Sequence, residues 1–291
     1  MATPPIFFLT CGRLVAPAWL MCPGARGSLD MTLTVAVVPR SDGRYVLIDC
    51  GFSGSEMGEP VKRLGVAGVM YRFRRSADEP GAPAGRPASL AEQLAARGIA
   101  ARSVVQIVAT HLHLDHIGGF VDFPHAEVLA TRAEIDAVRK GGLLAGYHHG
   151  KALRQSGRLV PLELGGGERH GFPAHLDLSG DGRIVLLDAA GHSAGSVAVL
   201  LTDEHRSVLH AGDAAYSPIE YREGRQSVLS RYAAFRQDWL RATWGRLKEY
   251  EARGGEVLLA HDPDAFARLA ASPAIPGKAR PSEAPETRSP G

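Results

Sequence analysis

A buried-strand pattern that ends directly in a histidine-rich loop constrains this chain more than any other feature. Residues 104–119 read VVQIVATHLHLDHIGG, and their β-branched and apolar run ends at Thr110. Such a run is typical of a strand covered on both faces. Four potential metal ligands follow within six positions: His111, His113, Asp115 and His116. Because α/β proteins place their chemistry at the carboxyl ends of strands, this stretch predicts an α/β fold with a functional site here.

The spacing of the four ligands indicates two neighbouring metal positions. His111 and His113 lie two residues apart, so in an extended segment they project to the same side. Asp115 and His116 follow where the chain would turn into a helix, and Gly118-Gly119 would let the backbone bend closely. Imidazole nitrogens and a carboxylate are ligands that zinc accepts. A solvated polar loop that is merely rich in histidine is the alternative, and this concentration of ligands at a strand end disfavours it.

Three further motifs carry a family resemblance. THLHLDHIGG resembles the signature of the metallo-β-lactamase-fold hydrolases, which also have a later Gly-His-Ser/Thr, a later Gly-Asp and a final histidine. This sequence has them in that order: Gly191-His192-Ser193, Gly212-Asp213 and Ala260-His261-Asp262. Each follows an apolar, strand-like run: Ile184–Leu187, Ser207–Leu209 and Val257–Leu259. The resemblance spans roughly residues 30–265 and implies an αββα sandwich, with two mixed β-sheets packed face to face and helices on the outer faces.

The resemblance also implies a ligand set and a mechanism. It assigns one metal to His111, His113 and His192, a second to Asp115, His116 and His261, and a bridging position to Asp213. The implied cofactors are two Zn²⁺ ions, with other divalent metals left open. In this family a hydroxide that bridges the two metals attacks a carbonyl, the metals steady the oxyanion, and Asp115 can carry the proton to the leaving group.

Asp49 follows the predicted strand Tyr45–Ile48 and corresponds to a family residue that orients the ligand histidines. A ligating imidazole needs an acceptor for its other N–H, so such a residue is physically expected. The alternative for Asp49 is a loop carboxylate that caps a turn.

Three positions narrow the substrate class. Asp213 stands where many true β-lactamases have cysteine, and histidine rather than glutamate at position 113 disfavours the iron oxidoreductase branch. The stretch from Gly212 to Tyr216 resembles the N-acyl homoserine lactone lactonases, in which a tyrosine three residues beyond the bridging aspartate faces the substrate carbonyl. A phenol there can donate a hydrogen bond to the developing oxyanion. The implied function is a lactonase that opens N-acyl homoserine lactones, as in quorum quenching; the alternative for Tyr216 is a packed aromatic residue.

Other functions stay open at this point. Thioester hydrolysis of the glyoxalase II type is the nearest, although only a short tail follows His261 where those relatives carry a helical glutathione-binding region. Other esters and phosphotriesters are served by the same metal pair. A tRNA-processing nuclease would need a basic arm, which this sequence lacks. A non-catalytic metal-binding scaffold is also conceivable because fold does not fix function, but the complete ligand set argues against it.

Composition restricts partners and compartment. The formal net charge of +2 is too small to favour nucleic acid or an anionic membrane surface, so we expect a small-molecule lactone or ester as partner and leave a homodimer open. Three cysteines without close spacing (Cys11, Cys22 and Cys50) argue against a disulfide framework. No apolar run is long enough for export or membrane spanning. We therefore expect a cytoplasmic protein.

The organisation of the chain is expected to be one catalytic domain over residues 1–270 with a disordered tail over 271–291, which is rich in proline and charge. Residues 6–10 and 32–38 read as strands, and Ser41-Asp42-Gly43 as a hairpin turn. Residues 11–30 read as an apolar loop, and 51–88 as a long loop that serves either as a lid or as a surface insertion.

Helices are predicted in three places. The capping box Ser89-Leu90-Ala91-Glu92 starts one, Ala130–Lys140 is a second with Thr131 as its cap, and Arg231–Tyr250 is a third. His148 and His149 are expected at the surface. In the third helix, core packing is expected for Tyr232, Phe235, Trp239, Leu240, Trp244 and Leu247.

Overall fold

The computed structural model describes residues 4–64, 72–75, 81–141 and 146–271 of the chain. The predicted tail lies almost entirely outside the described residues, as does part of the 51–88 stretch, so the tail and lid expectations stay predictions. Within the described ranges, no helix combines the length and the apolar character needed to cross a bilayer.

The first of two β-sheets has seven strands in the order β4-β1-β2-β3-β5-β6-β7. Strand β1 pairs antiparallel with both β4 and β2, and β2 pairs antiparallel with β3. From β3 onward, through β5, β6 and β7, the pairs are parallel. Their bounds are β1 Phe7–Pro17, β2 Ser28–Pro39, β3 Tyr45–Ile48, β4 Arg72–Arg74, β5 Val104–Val108, β6 Glu127–Thr131 and β7 Leu159–Leu162.

The second sheet has five strands in the order β12-β11-β10-β9-β8. Only β11 and β12 pair in parallel, so this sheet is mixed as well. Its strands are β8 His175–Asp177, β9 Ile184–Asp188, β10 Val197–Thr202, β11 Ser207–His210 and β12 Glu256–Leu258.

The helices connect these strands. They are α1 Ala18–Met21, α2 Gly54–Gly58, α3 Pro60–Leu64, α4 Leu90–Ala96, α5 Leu114–Ile117, α6 Arg132–Lys140, α7 Gly150–Gln155, α8 Pro218–Glu223, α9 Val228–Ala233, α10 Gln237–Ala252 and α11 Pro263–Ala271. Short 3₁₀ turns occupy Ala101–Ser103 and Gly118–Asp122. Ser89 caps α4 in a capping box with Glu92, and Thr131 caps α6, so both predicted caps are confirmed. The second helix begins at Arg132 rather than Ala130, because Ala130 and Thr131 belong to β6.

Alternating side chains place apolar surface on both faces of each sheet. In β2, Val35 and Val37 pack with helices α4, α6 and α7, whereas Ala36 and Val38 face the second sheet. The outer face of the second sheet is covered by α10, through residues such as Trp244 and Leu247. The order of layers is thus helices, first sheet, second sheet and helices, with an apolar layer between each neighbouring pair. This is the αββα sandwich expected from the sequence.

Three expectations about the chain path are wrong. Residues 51–88 are not one long loop, because α2, α3 and β4 lie within them. Residues 11–30 are not a loop, because β1 continues to Pro17 and α1 follows. The pairing register of β1 with β2 shifts between Thr10 and Arg13, but the strand continues beyond this point. Gly12 adopts a φ of 76° there, which other residues avoid. The predicted helix Arg231–Tyr250 is two helices, α9 and α10, interrupted between Ala233 and Gln237.

The exposure of the aromatic residues in α9 and α10 also differs from the prediction. Leu240, Trp244 and Leu247 are buried as expected. The side chains of Tyr232, Phe235 and Trp239 are 86%, 54% and 43% exposed, so their expected core role is wrong. Because the helix is interrupted, residues of α9 and α10 that are three or four positions apart in the sequence no longer lie on one face.

Candidate metal centre

Five chain segments deliver ionisable side chains to one edge of the sandwich. The turn after β5 carries His111 and His113, and α5 carries Asp115 and His116. The remaining three come from the second sheet, after β9, β11 and β12 respectively: His192, Asp213 and His261. The sheets are joined here, since the Val197 amide donates to the Thr110 carbonyl at 2.9 Å and the Thr34 amide to the Ala260 carbonyl at 3.2 Å. The site therefore belongs to both sheets.

The first group consists of three imidazoles whose nitrogens converge. His192 Nε2 lies 3.1 Å from His111 Nε2 and 3.0 Å from His113 Nδ1. His111 and His192 are buried and His113 is half-buried. Nitrogens this close, in rings held almost perpendicular to one another, are arranged as ligands of one cation.

The second group contains Asp115, His116, Asp213 and His261, each offering one ligand atom within 4.8 Å of the others. Asp213 Oδ1 lies 3.0 Å from His116 Nε2 and 3.1 Å from His261 Nε2. Its other oxygen, Oδ2, lies 3.7 Å from His192 Nε2. The two oxygens of Asp213 therefore face different groups, as a bridging carboxylate must.

Whether this site suits a metal can be judged from its buried polar atoms that lack hydrogen bonds. His116 Nε2, His261 Nε2 and Asp213 Oδ1 are all buried. They approach one another to 3.0–3.1 Å, but among the described residues none of these atoms makes a contact with hydrogen-bond geometry. An orphaned buried polar atom costs about 1–3 kcal/mol, and three of them converge here. Coordination of a divalent cation would satisfy all three, and the nitrogen and oxygen donor set suits zinc. The residues therefore fit the metal that the sequence implies.

Outer partners fix the orientation of the second group. Asp49 Oδ2 accepts a hydrogen bond from His116 Nδ1 at 2.7 Å, and the Thr32 carbonyl accepts one from His261 Nδ1 at 2.7 Å. With Nδ1 protonated by these contacts, Nε2 of each ring is the free atom directed at the centre. Asp49 is thus placed where the sequence expected an orienting residue, and it is not merely a turn cap.

Thr110 connects Asp49 to the first group. Its amide and hydroxyl donate to the two oxygens of Asp49 at 2.7 and 2.8 Å, and its Oγ1 lies 3.2 Å from His111 Nδ1. Since the Thr110 hydroxyl proton is used on Asp49, its oxygen is left to accept from His111 Nδ1–H. His111 Nε2 is then free to bind metal.

Glu134, at the start of α6, holds the two histidine-bearing loops together. It is fully buried, and its Oε1 accepts from the Leu112 amide at 3.0 Å. Its Oε2 accepts from the Ser193 hydroxyl at 2.7 Å and the Gly195 amide at 3.0 Å. The role of Glu134 could not be expected from the sequence. Its only local signal is its position in the first turn of a capped helix, which many glutamates share.

Burial lowers the pKa of some histidines of the centre, and the neighbouring Asp213 raises the pKa of others. Burial lowers the pKa of His111 well below its ordinary value and that of His192 to about 3, so these rings are neutral and ready to ligate. Burial also acts to lower the pKa of His116 and His261, but Asp213 outweighs it and raises both. Burial opposes ionisation of Asp213, yet His261 and His116 hold its pKa well below the usual range.

Asp115 and Tyr216 border the centre. The side chain of Asp115 is 18% exposed, and its Oδ2 lies 3.6 Å from His261 Nε2 and 3.9 Å from His116 Nε2. The Tyr216 ring packs edge to face on His192, with 5.3 Å between ring centroids, and its amide donates to Glu220. Of the two residues expected to be catalytic, Asp115 belongs to the second group and Tyr216 packs against the first.

The Gly146–His149 segment lies against the first group, contrary to the surface position expected for its histidines. Tyr147 packs on His113 with 5.0 Å between ring centroids. His148 and His149 are half-buried, and His149 Nε2 lies 2.5 Å from a carboxylate oxygen of Glu56. The expectation failed because the partner of His149 is 93 residues away in the chain.

Comparison with protein families identifies the class that the fold and site define. Residues 29–265 match the model of the metallo-beta-lactamase superfamily, and the chain belongs to that superfamily. It is a metal-dependent hydrolase with the αββα fold.

The individual relatives differ from this chain at most of the aligned positions. A probable metallo-hydrolase of Mycobacterium tuberculosis is 32% identical over 249 residues, covering 80% of this chain and 75% of the relative. The N-acyl homoserine lactonase AttM of Agrobacterium fabrum is 28% identical over 184 residues, covering 62% and 67%. Among solved structures, a variant of AiiA from B. thuringiensis with N-decanoyl-L-homoserine bound at its active site superposes with a TM-score of 0.69. That structure is 18% identical and covers 92% of this chain and 97% of its own, so it supports the fold alone.

Proposed function

We propose that the chain is a lactonase that opens N-acyl homoserine lactones with two divalent metal ions, zinc in the first instance. The observation that carries the proposal is the position of Tyr216, whose ring packs on the ligand His192 at the border of the centre. A phenol at that point can donate a hydrogen bond to the carbonyl oxygen of a bound ester as negative charge develops. The likeness to AttM supports the same substrate class.

The metal ligands in this proposal form two sets that share Asp213. His111, His113 and His192 would hold one ion, and Asp115, His116 and His261 would hold the other. When bound, two such ions supply Lewis-acid polarisation of the carbonyl and favour deprotonation of water at neutral pH. Neutral His111 and His192 are prepared for this role, because burial keeps protons off them.

The chain's own groups complete the reaction. Tyr216 orients the carbonyl and stabilises the oxyanion that forms from it. The Asp115 carboxylate is the least buried of the second group, so it can take a proton from water and return it to the alkoxide that leaves when the lactone ring opens. Asp49 and the Thr32 carbonyl keep His116 and His261 in the tautomers that leave Nε2 free.

Proton release tests the substrate class, since opening a lactone liberates an acid. Zinc-loaded protein is mixed with an N-acyl homoserine lactone, with a simple thioester and an aryl ester in parallel, and a pH indicator follows the reaction. Rapid release from the lactone is the expected result. Release from the thioester alone would replace the lactonase proposal with hydrolysis of the glyoxalase II type. Absence of release from all three, with zinc bound, would favour a non-catalytic metal-binding role.

Tyr216→Phe tests the residue on which the proposal depends. We expect turnover of the lactone to fall about 100-fold, the cost typical of losing one oxyanion donor, while zinc content stays at the parental value. Tyr221→Phe is the matched control, because that buried hydroxyl donates to Glu251. Equal loss of zinc and activity in Tyr216→Phe would show that the tyrosine is structural.

A further inference from the structure

A pocket of about 520 Å³ lies between the α8–α9 turn and the start of α10, outside the metal ligand set. We call it the arginine pocket, because its polar lining is mainly cationic: Arg225, Gln226, Arg231, Tyr232, Gln237 and Arg241. No aspartate or glutamate lines it. For a chain whose formal net charge is only +2, this is a marked local concentration of positive charge.

Among the residues that the structure describes, two of the three guanidinium groups of the arginine pocket have no carboxylate partner. Within the described part of the chain, neither Arg231 nor Arg241 forms an ion pair with a carboxylate. Arg225 does pair with Glu223 at 3.0 Å, but both side chains are about half exposed, and such pairs contribute little. Guanidinium groups recognise carboxylate and phosphate oxygens in a planar, often bidentate arrangement, which makes a cluster of them suited to an oxyanion.

Gln226 orients one of the arginines that line the pocket. The residue is buried, and its Oε1 accepts a hydrogen bond from Arg241 Nη1 at 3.1 Å. This contact holds the Arg241 guanidinium beside the pocket without neutralising its charge, because an amide oxygen is uncharged.

Both walls of the pocket are tied to loops of the metal centre. On one side, the buried Glu220 accepts from the amides of Tyr216 and Ser227, and Ser227 adjoins Gln226. On the other side, the Phe235 and Arg236 amides donate to the carbonyls of His192 and Gly191, at 3.0 Å in each case. The arginine pocket therefore neighbours the part of the centre that Tyr216 and His192 form.

We propose that the arginine pocket binds the carboxylate or phosphate group of a small anionic molecule. Two sources can supply this group: the distal end of the molecule that is hydrolysed at the metal centre, or a separate anion. Arg231 and Arg241 contact the anion, and Gln226 positions Arg241.

Calorimetric titration of the zinc-loaded protein with inorganic phosphate, and separately with acetate, tests the binding. The variant Arg231→Gln/Arg241→Gln removes two charges from the pocket, and Arg222→Gln/Arg253→Gln removes two from exposed positions that do not line it. We expect one binding event of the parent to weaken at least tenfold in the pocket variant and to persist in the control. Any phosphate bound by the metal centre remains in both variants and is subtracted in this comparison.

Identical isotherms for parent and pocket variant would overturn the proposal, because all binding would then belong to the metal centre. So would an equal loss in the control variant, which would reduce the effect to net charge. Thermal unfolding of each variant checks that the substituted proteins are folded.

Hydrolysis of two aryl esters distinguishes the sources. One carries a terminal carboxylate on its acyl chain and the other is the corresponding neutral methyl ester. If the pocket holds the end of the substrate, kcat/KM of the pocket variant falls about tenfold for the anionic ester alone. If phosphate binding is lost while both esters react as in the parent, the pocket serves a separate anion. This comparison needs only ester hydrolysis, so it does not depend on whether a lactone is the natural substrate.

Discussion

At the scale of single residues, buried carboxylates outside the ligand set decide which atoms of the ligands face the metals. Asp49 is the clearest case: it is buried, it adopts a left-handed φ of 60°, and its oxygens accept three hydrogen bonds from Thr110 and His116. A residue other than glycine in this conformation is strained, and such strain is concentrated at functional sites.

Asp49→Asn is expected to lower zinc affinity about 10- to 100-fold, the range typical of an outer partner of a metal ligand. Asparagine tolerates the left-handed conformation, so the backbone is preserved. Its amide nitrogen, if it faces His116, donates to Nδ1 and moves the imidazole proton to Nε2, where it blocks coordination. Competition with a chromogenic zinc chelator measures the effect. Parental affinity in the variant would contradict the role assigned to Asp49.

Glu134→Gln is expected to lower both zinc affinity and hydrolysis about tenfold, because Glu134 accepts hydrogen bonds from the loops that carry the first and second motifs. A glutamine has one acceptor oxygen in place of two and cannot satisfy both the Leu112 and Gly195 amides. Asp136→Asn, on the exposed side of the same helix, is the matched control. If the two variants retain equal zinc affinity, Glu134 does not position the loops.

The sequence indicated which residues are brought together at the centre, but not what supports them. His111, His113, Asp115, His116, His192, Asp213 and His261 form recognisable local motifs, and the structure assembles them into two groups. Glu134 and the Thr32 carbonyl could not be predicted. Their contacts join segments far apart in the chain, and nothing in the adjacent sequence distinguishes them from an ordinary helix residue or strand carbonyl.

At the scale of secondary-structure elements, capping and strand composition were informative where the signal was local. The capping box of α4 and the strand β3 occur as expected, because both depend on a few consecutive residues. The continuation of β1 past Gly12 was missed, since it depends on pairing with β2 across an irregular register. The break between α9 and α10 was missed because Phe235 and Arg236 hydrogen-bond to the loop that carries His192 instead of continuing a helix.

Glu92→Gln tests how α4 is held. The Glu92 carboxylate bonds to Arg86 at 2.7 Å and to the Ser89 amide, and the hydrogen bond from Arg86 keeps its pKa below the ordinary 4.5. We expect the free energy of unfolding at pH 7 to fall by about 1 kcal/mol, a modest value because the carboxylate is partly exposed and screened.

The pH dependence of this loss has a definite sign. Because the pKa of Glu92 is lowered in the folded protein, its contribution is complete above pH 4.5 and is lost as the pH falls through the lower folded value. The difference in urea midpoint between parent and Glu92→Gln should therefore narrow on acidification below 4.5. Glu249→Gln, which removes one partner of an exposed ion pair with Arg253, should change the midpoint little at either pH. A gap that widens in acid would contradict this account.

At the scale of the whole molecule, the metal centre connects two sheets that also meet through apolar side chains and through hydrogen bonds such as Val197–Thr110 and Thr34–Ala260. One ligand group combines residues after β5 with one after β9, and the other combines α5 with the ends of β11 and β12. Bound cations would therefore tie both halves of the sandwich together and would bind only the folded form tightly.

Removal of metal with excess chelator is expected to lower the Tm by about 5 °C or more. Ligand present at 100 times its Kd stabilises the folded state by about 2.7 kcal/mol, and for a domain of this size each kcal/mol shifts Tm by about 2–4 °C. Scanning calorimetry before and after chelation measures the shift, and added zinc should reverse it whereas magnesium should not. An unchanged Tm after confirmed loss of zinc would mean that the centre does not brace the sheets.

The contact between Thr32 and His261 spans 229 residues of chain, and it fixes the orientation of the last ligand of the second group. The ligands of the first group are complete at His192, so a chain emerging from the ribosome exposes that trio well before residue 261. The second group lacks one ligand until His261 is synthesised. Because each group takes residues from both sheets, neither group is assembled before the second sheet has folded against the first.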